Sequence, residues 1–391
     1  MSAASQSAAL DSRQLMDGAR ALSAAVSDSA AENEAGRRLA PALVDGFRER
    51  GLFGLCLPRR YGGSEVSPAT LVDVVETLAA ADGSAGWCVA IAATSAATAA
   101  YLPPDEAAAV FEAGAATIIG GVFAPKGRAR VDGKDLIVDG RWSFASGIDH
   151  CDWLLGGCAI VDPQSSDGPP RTCMVAFPAG EAVVHDTWQV AGLRGTGSHD
   201  MQVEGLRVPR SRAVSIHSDP PHEDGALYRF PVFGLLALGI AAVSLGIARR
   251  AIDELVAVAG GKVPGGGRRR LAERSAVQED VAWATAELSA ARAYMHDAIG
   301  RAYDEAAGGS AIALPERAAL RLASTFATRT AARAVDRMYE AGGGTSIYAS
   351  SPLQRCFRDV HTATQHMMVA RGSMELAGRT LLDLETDVSL L

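Results

Sequence analysis

Apolar residues recur along the chain with two different periods, and the order in which those periods alternate divides it. Leu39, Leu43 and Phe47 fall four apart with charges between them, so the stretch 12–50 reads as helix, stopped by Gly51. Ser67-Pro68 opens another helix with proline in its first turn, and Leu71, Val74, Val75 and Leu78 share one face. Two more helices are expected over 83–100 and 104–112. Near Thr117 the texture changes. Short apolar or alternating runs at 117–123, 129–131, 136–138, 153–158, 173–177 and 201–208, separated by Gly, Asp and Pro, predict an antiparallel β region with a loop tip at 162–170. After a linker at 219–222 the helix period returns in four long segments, near 230–260, 273–307, 315–341 and 352–379, which read as a four-helix bundle. The expected fold class is α+β: an N-terminal helical domain (1–116), a middle β domain (117–222) and a C-terminal bundle (223–391). About the first 20 residues, polar and rich in Ala and Ser, are expected to be frayed.

Composition changes this picture at two points. Apolar residues make up 48% and charged residues 21% of the 391, with mean hydropathy +0.09, which excludes global disorder but admits either a large core or a membrane protein. The run 230–248 carries no charge and is long enough to span a bilayer. Pro231, Ser244 and three glycines within it favour a buried helix whose small residues admit close neighbours. The net charge, 37 − 45 = −8, argues against a nucleic-acid partner. Six cysteines without C-x-x-C spacing suggest neither a zinc site nor a disulfide framework. The N-terminus shows no basic block followed by an apolar one, so a reduced cytoplasmic protein is expected.

Single residues say little about chemistry. The segment from Gly195 to Asp200 begins like a dinucleotide fingerprint, but it lacks the third glycine and a strand follows instead of a helix. His361 and His366, five apart on the expected last helix, are wrongly spaced for a shared metal. Ser146 is by itself an ordinary loop serine, and Trp142, Phe144 and Trp153 are ordinary core aromatics.

Three blocks in order alter that. They are Gly140-Arg141-Trp142-Ser143-Phe144-Ala145-Ser146-Gly147 with Asp149 to Trp153; Trp188 with Gly192 to Ser198; and Gly342 to Tyr348 with Pro352 to Arg355, Arg358 and Asp359. Together they resemble the acyl-CoA dehydrogenase superfamily over about residues 12–385. Members that dehydrogenate thioesters need a carboxylate base. The position that most of them use, nine past Asp359, is Met368, and residues 228–250, which hold the alternative position, contain no Asp or Glu. The Trp-x-Phe-x-Ser-Gly block and the run from Arg358 to His366 instead resemble the two-component flavin-dependent monooxygenases on the same fold.

That resemblance implies reduced flavin (FMNH2 or FADH2) and O2 reacting through a C4a-hydroperoxide, a separate NAD(P)H-dependent flavin reductase, a small aromatic substrate and a homotetramer. It implies Ser146 beside the flavin and His366 as base toward a phenol. Trp87, Phe123, Trp142 and Phe144 are candidates for the ring pocket, with core packing as the alternative for each. Arg274 and Gln278 sit where cofactor contacts often lie, sometimes across subunits. His150 is a candidate on the substrate side, again with a structural alternative. Thioester dehydrogenation by an unrecognised base, and oxygenation at nitrogen or sulfur, remain the competing activities.

Overall fold

The computed structural model describes residues 10–162, 171–216, 218–389 and 391. Residues 1–9 of the expected frayed start fall outside them, as does nearly all of the expected loop tip, whereas residues 12–20 of that start are helix, not frayed chain. Five helices come first: α1 (Ser12–Gly36), α2 (Pro41–Glu49), α3 (Pro68–Ala81), α4 (Gly83–Ala96) and α5 (Pro104–Val110). The stretch expected as one helix is thus two. Asp11 and Gln14 form a capping box that starts α1, and Arg37 ends it in the left-handed conformation (φ 53°). Pro41 then begins α2.

A seven-stranded sheet follows, comprising β1 (Ile119–Asp132), β2 (Asp135–Ala145), β3 (Trp153–Val161), β4 (Thr172–Pro178), β5 (Val183–His185), β6 (His199–Pro209) and β7 (Ala213–Val214), in the order β5-β6-β2-β1-β3-β4-β7. It is mixed and not purely antiparallel, because β1 and β3 run parallel. The two apolar runs read as separate strands at 117–123 and 129–131 are one strand with a wide bulge. Val122 pairs with Gly156 and Gly127 with Cys158, so residues 123–126 face Gly157 alone. The bulge throws Phe123 and Lys126 off the sheet.

Trp142 is fully buried in the second, smaller core, which the sheet builds for itself. Its indole lies in a slot whose floor is glycine: a Cβ at Gly127, Gly140 or Gly156 would stand 2.3, 2.5 or 2.8 Å from the ring. Its Nε1 donates to the Gly157 carbonyl at 2.7 Å. Trp142→Ala is therefore expected to cost about 3–5 kcal/mol of stability by chemical denaturation, without altering ligand affinity of the folded protein.

The remainder is helical: α6 (Ala226–Arg229), α7 (Val232–Gly261), α8 (Ser275–Ala307), α9 (Leu314–Gly342), α10 (Pro352–Ala363) and α11 (Arg371–Leu381). The apolar run became α7, long and apolar enough to cross a membrane, yet 83% of its most apolar window is buried inside the protein. It packs against α3, α4, α9 and α10. The last expected bundle helix is broken. Thr364 turns its hydroxyl to the His361 carbonyl (2.6 Å), His366 takes an extended conformation (ψ 133°), and Met367–Val369 form a single tight turn before α11. His366 therefore stands in a gap between two helices and not on a helix face.

Candidate active site

A cavity of about 700 Å³ opens where α4, the β1 bulge, the end of β2, the 188–198 loop, α7 and the gap after α10 meet. Its walls are mainly apolar. Among the described lining residues there is no Asp or Glu, and Lys126, exposed on the bulge, is the one charged side chain.

At one wall the polar groups form a chain with a single direction. Trp87 Nε1 donates to Ser146 Oγ (3.0 Å), Ser146 and Ser198 oxygens are 2.7 Å apart, Ser198 and Thr196 oxygens are 2.7 Å apart, and Thr196 Oγ1 meets the Leu193 carbonyl at 2.8 Å. A carbonyl only accepts, so Thr196 spends its one proton there. Ser198 must then donate to Thr196, and Ser146 to Ser198. Every hydroxyl proton points away from Ser146, whose oxygen is left with a lone pair to offer.

The chain ends on a strained residue that other parts of the molecule hold in place. Leu193 has φ 51°. Its N–H donates to Asp359 Oδ1 on α10 at 2.6 Å. The preceding Gly192 lies so close to α10 that a Cβ would stand 2.2 Å from the Arg358 carbonyl. The three sequence blocks thus meet physically: Asp359 fixes Leu193, Leu193 ends the hydroxyl chain, and the chain orients Ser146.

Burial, with nearby Asp82 adding to it, pushes the Asp359 carboxyl up to about 7. A folded-state value above the unfolded one contributes stability at low pH that is lost as pH rises through about 7. Asp359→Asn keeps an acceptor for the Leu193 N–H. It is expected to flatten the loss of stability between about pH 4 and about pH 7, read from urea midpoints.

Next to the start of the hydroxyl chain, His366 packs edge-on to Trp87, with ring centroids 5.6 Å apart. Its Nδ1 accepts the Met368 N–H at 3.2 Å. Burial, reinforced by Arg321, pushes its pKa down to about 4, so the ring is neutral near pH 7. With the Nδ1 lone pair engaged, the proton of the neutral ring is on Nε2. Behind His366, Arg321 on α9 is 2% exposed. It donates to the Phe233 carbonyl (3.2 Å), Met368 Sδ (2.9 Å) and Ser373 Oγ (2.7 Å), and its Nε has no partner. No carboxylate lies within ion-pair distance of it among the described residues. Burial lowers its pKa to about 10, which leaves it charged at neutral pH.

Known proteins of similar sequence share this arrangement's fold. The family model for the acyl-CoA dehydrogenase N-terminal domain matches residues 10–103, and that for the C-terminal domain matches residues 238–371. The indole-3-acetate monooxygenase of Pseudomonas putida is 34% identical over 343 residues, 88% of this chain and 87% of that protein. The chain belongs to the acyl-CoA dehydrogenase family, in its flavin-dependent monooxygenase branch. A second relative, the oxygenase component of an FADH(2)-dependent resorcinol hydroxylase from Rhizobium sp., is 28% identical over 91% of each chain. The structure of XiaF from Streptomyces sp. in complex with FADH2 and glycerol superposes with TM-score 0.90 at 26% identity, covering 96% of this chain and 97% of that one.

Five residues expected from the resemblance to this family line the one cavity: Trp87, Phe123, Phe144, Ser146 and His366. Four candidates do not. Trp142 is locked in the sheet's own core, as described. His150 packs on Phe53 (centroids 6.0 Å) and against the Gly147 turn, outside the lining, with burial and Arg48 pushing its pKa down to about 4. Arg274 and Gln278 stand at the start of α8, away from the cavity of their own chain, where Gln278 Nε2 donates to the Ala272 carbonyl at 2.9 Å. The base role foreseen for His366 meets an obstacle as well, since its one free lone pair is already taken by Met368 N–H. Sequence reading passed over Thr196 and Ser198, although both lie in the second block. It also passed over Arg321, whose signal was a lone arginine in the apolar stretch 318–327 with no acidic residue three or four positions away.

Proposed function

We propose that this chain is the oxygenase component of a two-component flavin-dependent monooxygenase that hydroxylates a small aromatic substrate. One observation carries the reading within the family: among the described residues the cavity wall holds no carboxylate, and the side chain at the family's usual base position, Met368, directs its sulfur toward Arg321. Thioester dehydrogenation has no proton acceptor there. The relatives named for indole-3-acetate and resorcinol chemistry support an aromatic substrate. The naming of one of them as an oxygenase component supports a separate NAD(P)H-dependent flavin reductase as partner.

The residues fit a flavin. Trp87, Phe123 and Phe144 offer aromatic faces around an apolar space of sufficient size. Ser146 offers a lone pair, which suits the N5–H that reduced flavin carries and oxidised flavin lacks. Reduced flavin, when bound, would supply the two electrons that activate O2, of which one oxygen atom goes to the substrate and the other leaves as water. Around it, the apolar walls exclude water, and His366 meets the substrate's oxygen with Nε2–H. Exposed Trp283, Ile347 and Tyr348 on the helical region give apolar surface for a homotetramer, in which Arg274 and Gln278 would reach a neighbouring subunit's cofactor. A cytoplasmic setting places the enzyme beside its reductase.

The test is to mix the protein anaerobically with reduced FMN or FAD and a phenol, then admit O2. Hydroxylated product is expected, with less hydrogen peroxide than free flavin releases. Tightly bound oxidised FAD that is bleached by an acyl-CoA would overturn the reading.

A further inference from the structure

Resting on the reading that His366 faces the substrate, we infer that the substrate is held as an aromatic oxyanion, phenolate or aryl carboxylate, by His366 Nε2–H and the buried charge of Arg321. The guanidinium is the first reason. It is 2% exposed, yet its partners are a backbone carbonyl, a serine hydroxyl and a thioether, all neutral. A thioether is a weak acceptor, so this charge is poorly compensated by the protein alone. Burying a cation without a counter-ion is costly, and among the described residues no carboxylate pairs with this one.

The second reason is position. Two of the three partners of Arg321 belong to residues of the cavity wall, Phe233 and Met368. The guanidinium therefore lies one side chain behind the surface that a ligand touches, in a region of low dielectric where its field is little screened. Among its described residues the wall carries no Asp or Glu to cancel that field. An anion in the cavity is its natural partner.

The third is the tautomer of His366. Nδ1 is engaged by Met368 N–H, and Nε2 has no partner among the described residues. The ring presents a donor and no free lone pair, so it can bind a substrate oxygen but cannot take its proton, and the bond it makes is strongest to an oxyanion. Arg321 reinforces this twice. It discourages a second positive charge on the imidazole, and it favours a negative one beside it. The substrate's proton is accordingly lost to solvent on binding, and the ring arrives already electron-rich.

The two sources of oxyanion are separable by two probes, neither needing flavin or O2. With 4-nitrophenol, absorbance reports phenolate directly. At about one pH unit below its own pKa, about a tenth of free nitrophenol is ionised, and binding is expected to raise that to more than half. Indole-3-acetate is expected to bind at least about tenfold more tightly than the neutral indole-3-acetamide. A positive result with the first probe alone assigns the site to phenolates, and with the second alone to carboxylates. Nitrophenol bound in its neutral form, together with an amide that binds as well as the acid, overturns the inference. Both readings are made on the unaltered protein and so do not depend on a variant that folds. Arg321→Met is then expected to abolish whichever reading was positive, and Arg321→Lys to retain it. If the Met variant instead loses affinity for reduced FMN and keeps both anion readings, the charge belongs to the cofactor and the inference fails. Failure in any of these arms leaves the oxygenase reading standing, because that rests on product formation from reduced flavin and O2.

Discussion

His366→Gln is expected to keep hydroxylation of a phenol within about tenfold of the parent enzyme, whereas His366→Leu is expected to lose about 100-fold or more. The contrast follows from which nitrogen carries the proton. The glutamine amide places an N–H near the position of Nε2, so it preserves a donor but supplies no base. Leucine fills the space and supplies neither. If the imidazole removed a substrate proton, both variants would fall together, since loss of a general base typically costs about 10²–10⁴ in rate. Product formed per reduced flavin, at saturating phenol, is the quantity to compare. Equal loss in both variants would return His366 to the role of proton acceptor and require Met368 N–H to release Nδ1 during turnover. The depressed pKa has its own consequence for the folded protein. A histidine whose folded value lies below its unfolded one contributes stability above about 6.5 that is lost as pH falls through about 4. His366→Gln should remove that part of the acid dependence.

Why the sequence misplaced some of these residues and not others has a physical explanation. The alternation of periods, helix then strand then helix, is a local property, and it led to the right types of structure in the right order, though not to every element's bounds. Strand pairing is not local. Nothing in the short apolar runs distinguishes the observed parallel β1–β3 pair from an antiparallel neighbour. Trp142 and Phe144, two apart on β2, should share a face by strand period. They do not, because Phe144 adopts φ 71° and the pairing with β6 slips between Trp142 and Ala145. The slip leaves Trp142 inside the sheet core and turns Phe144 and Ser146 to the cavity. The break that frees His366 was hidden for a related reason. Met367, Met368 and Val369 continue an apolar helix pattern, and the competing signal is only the Thr364 hydroxyl capturing a carbonyl in its own turn. Ser146 was found through its motif, but its role depends on Thr196 and Leu193, which the motif quotes without saying that they touch.

Thr196→Val is expected to erode the preference for reduced over oxidised flavin by about tenfold to about 100-fold, although valine is nearly isosteric with threonine. In the parent protein the Thr196 proton is fixed on the Leu193 carbonyl, so the chain of donors runs from Trp87 through Ser146 and Ser198 to Thr196. Valine removes the acceptor at its end. Ser198 then turns its proton back to Ser146, and the Ser146 proton is released toward the cavity. A hydroxyl that donates suits the bare N5 of oxidised flavin and no longer suits the N–H of the reduced form. One hydrogen bond is lost with one redox state and gained with the other, each worth about 1 kcal/mol, which together give the expected change in the ratio of Kd values. Oxidised FMN is titrated by fluorescence and reduced FMN anaerobically, so no turnover enters the measurement. Thr196→Ser retains the terminal donor and should retain the parent ratio. If valine weakens both redox states equally, the hydroxyl chain does not set the direction of the Ser146 proton, and discrimination between the two forms of the flavin must come from elsewhere in the cavity.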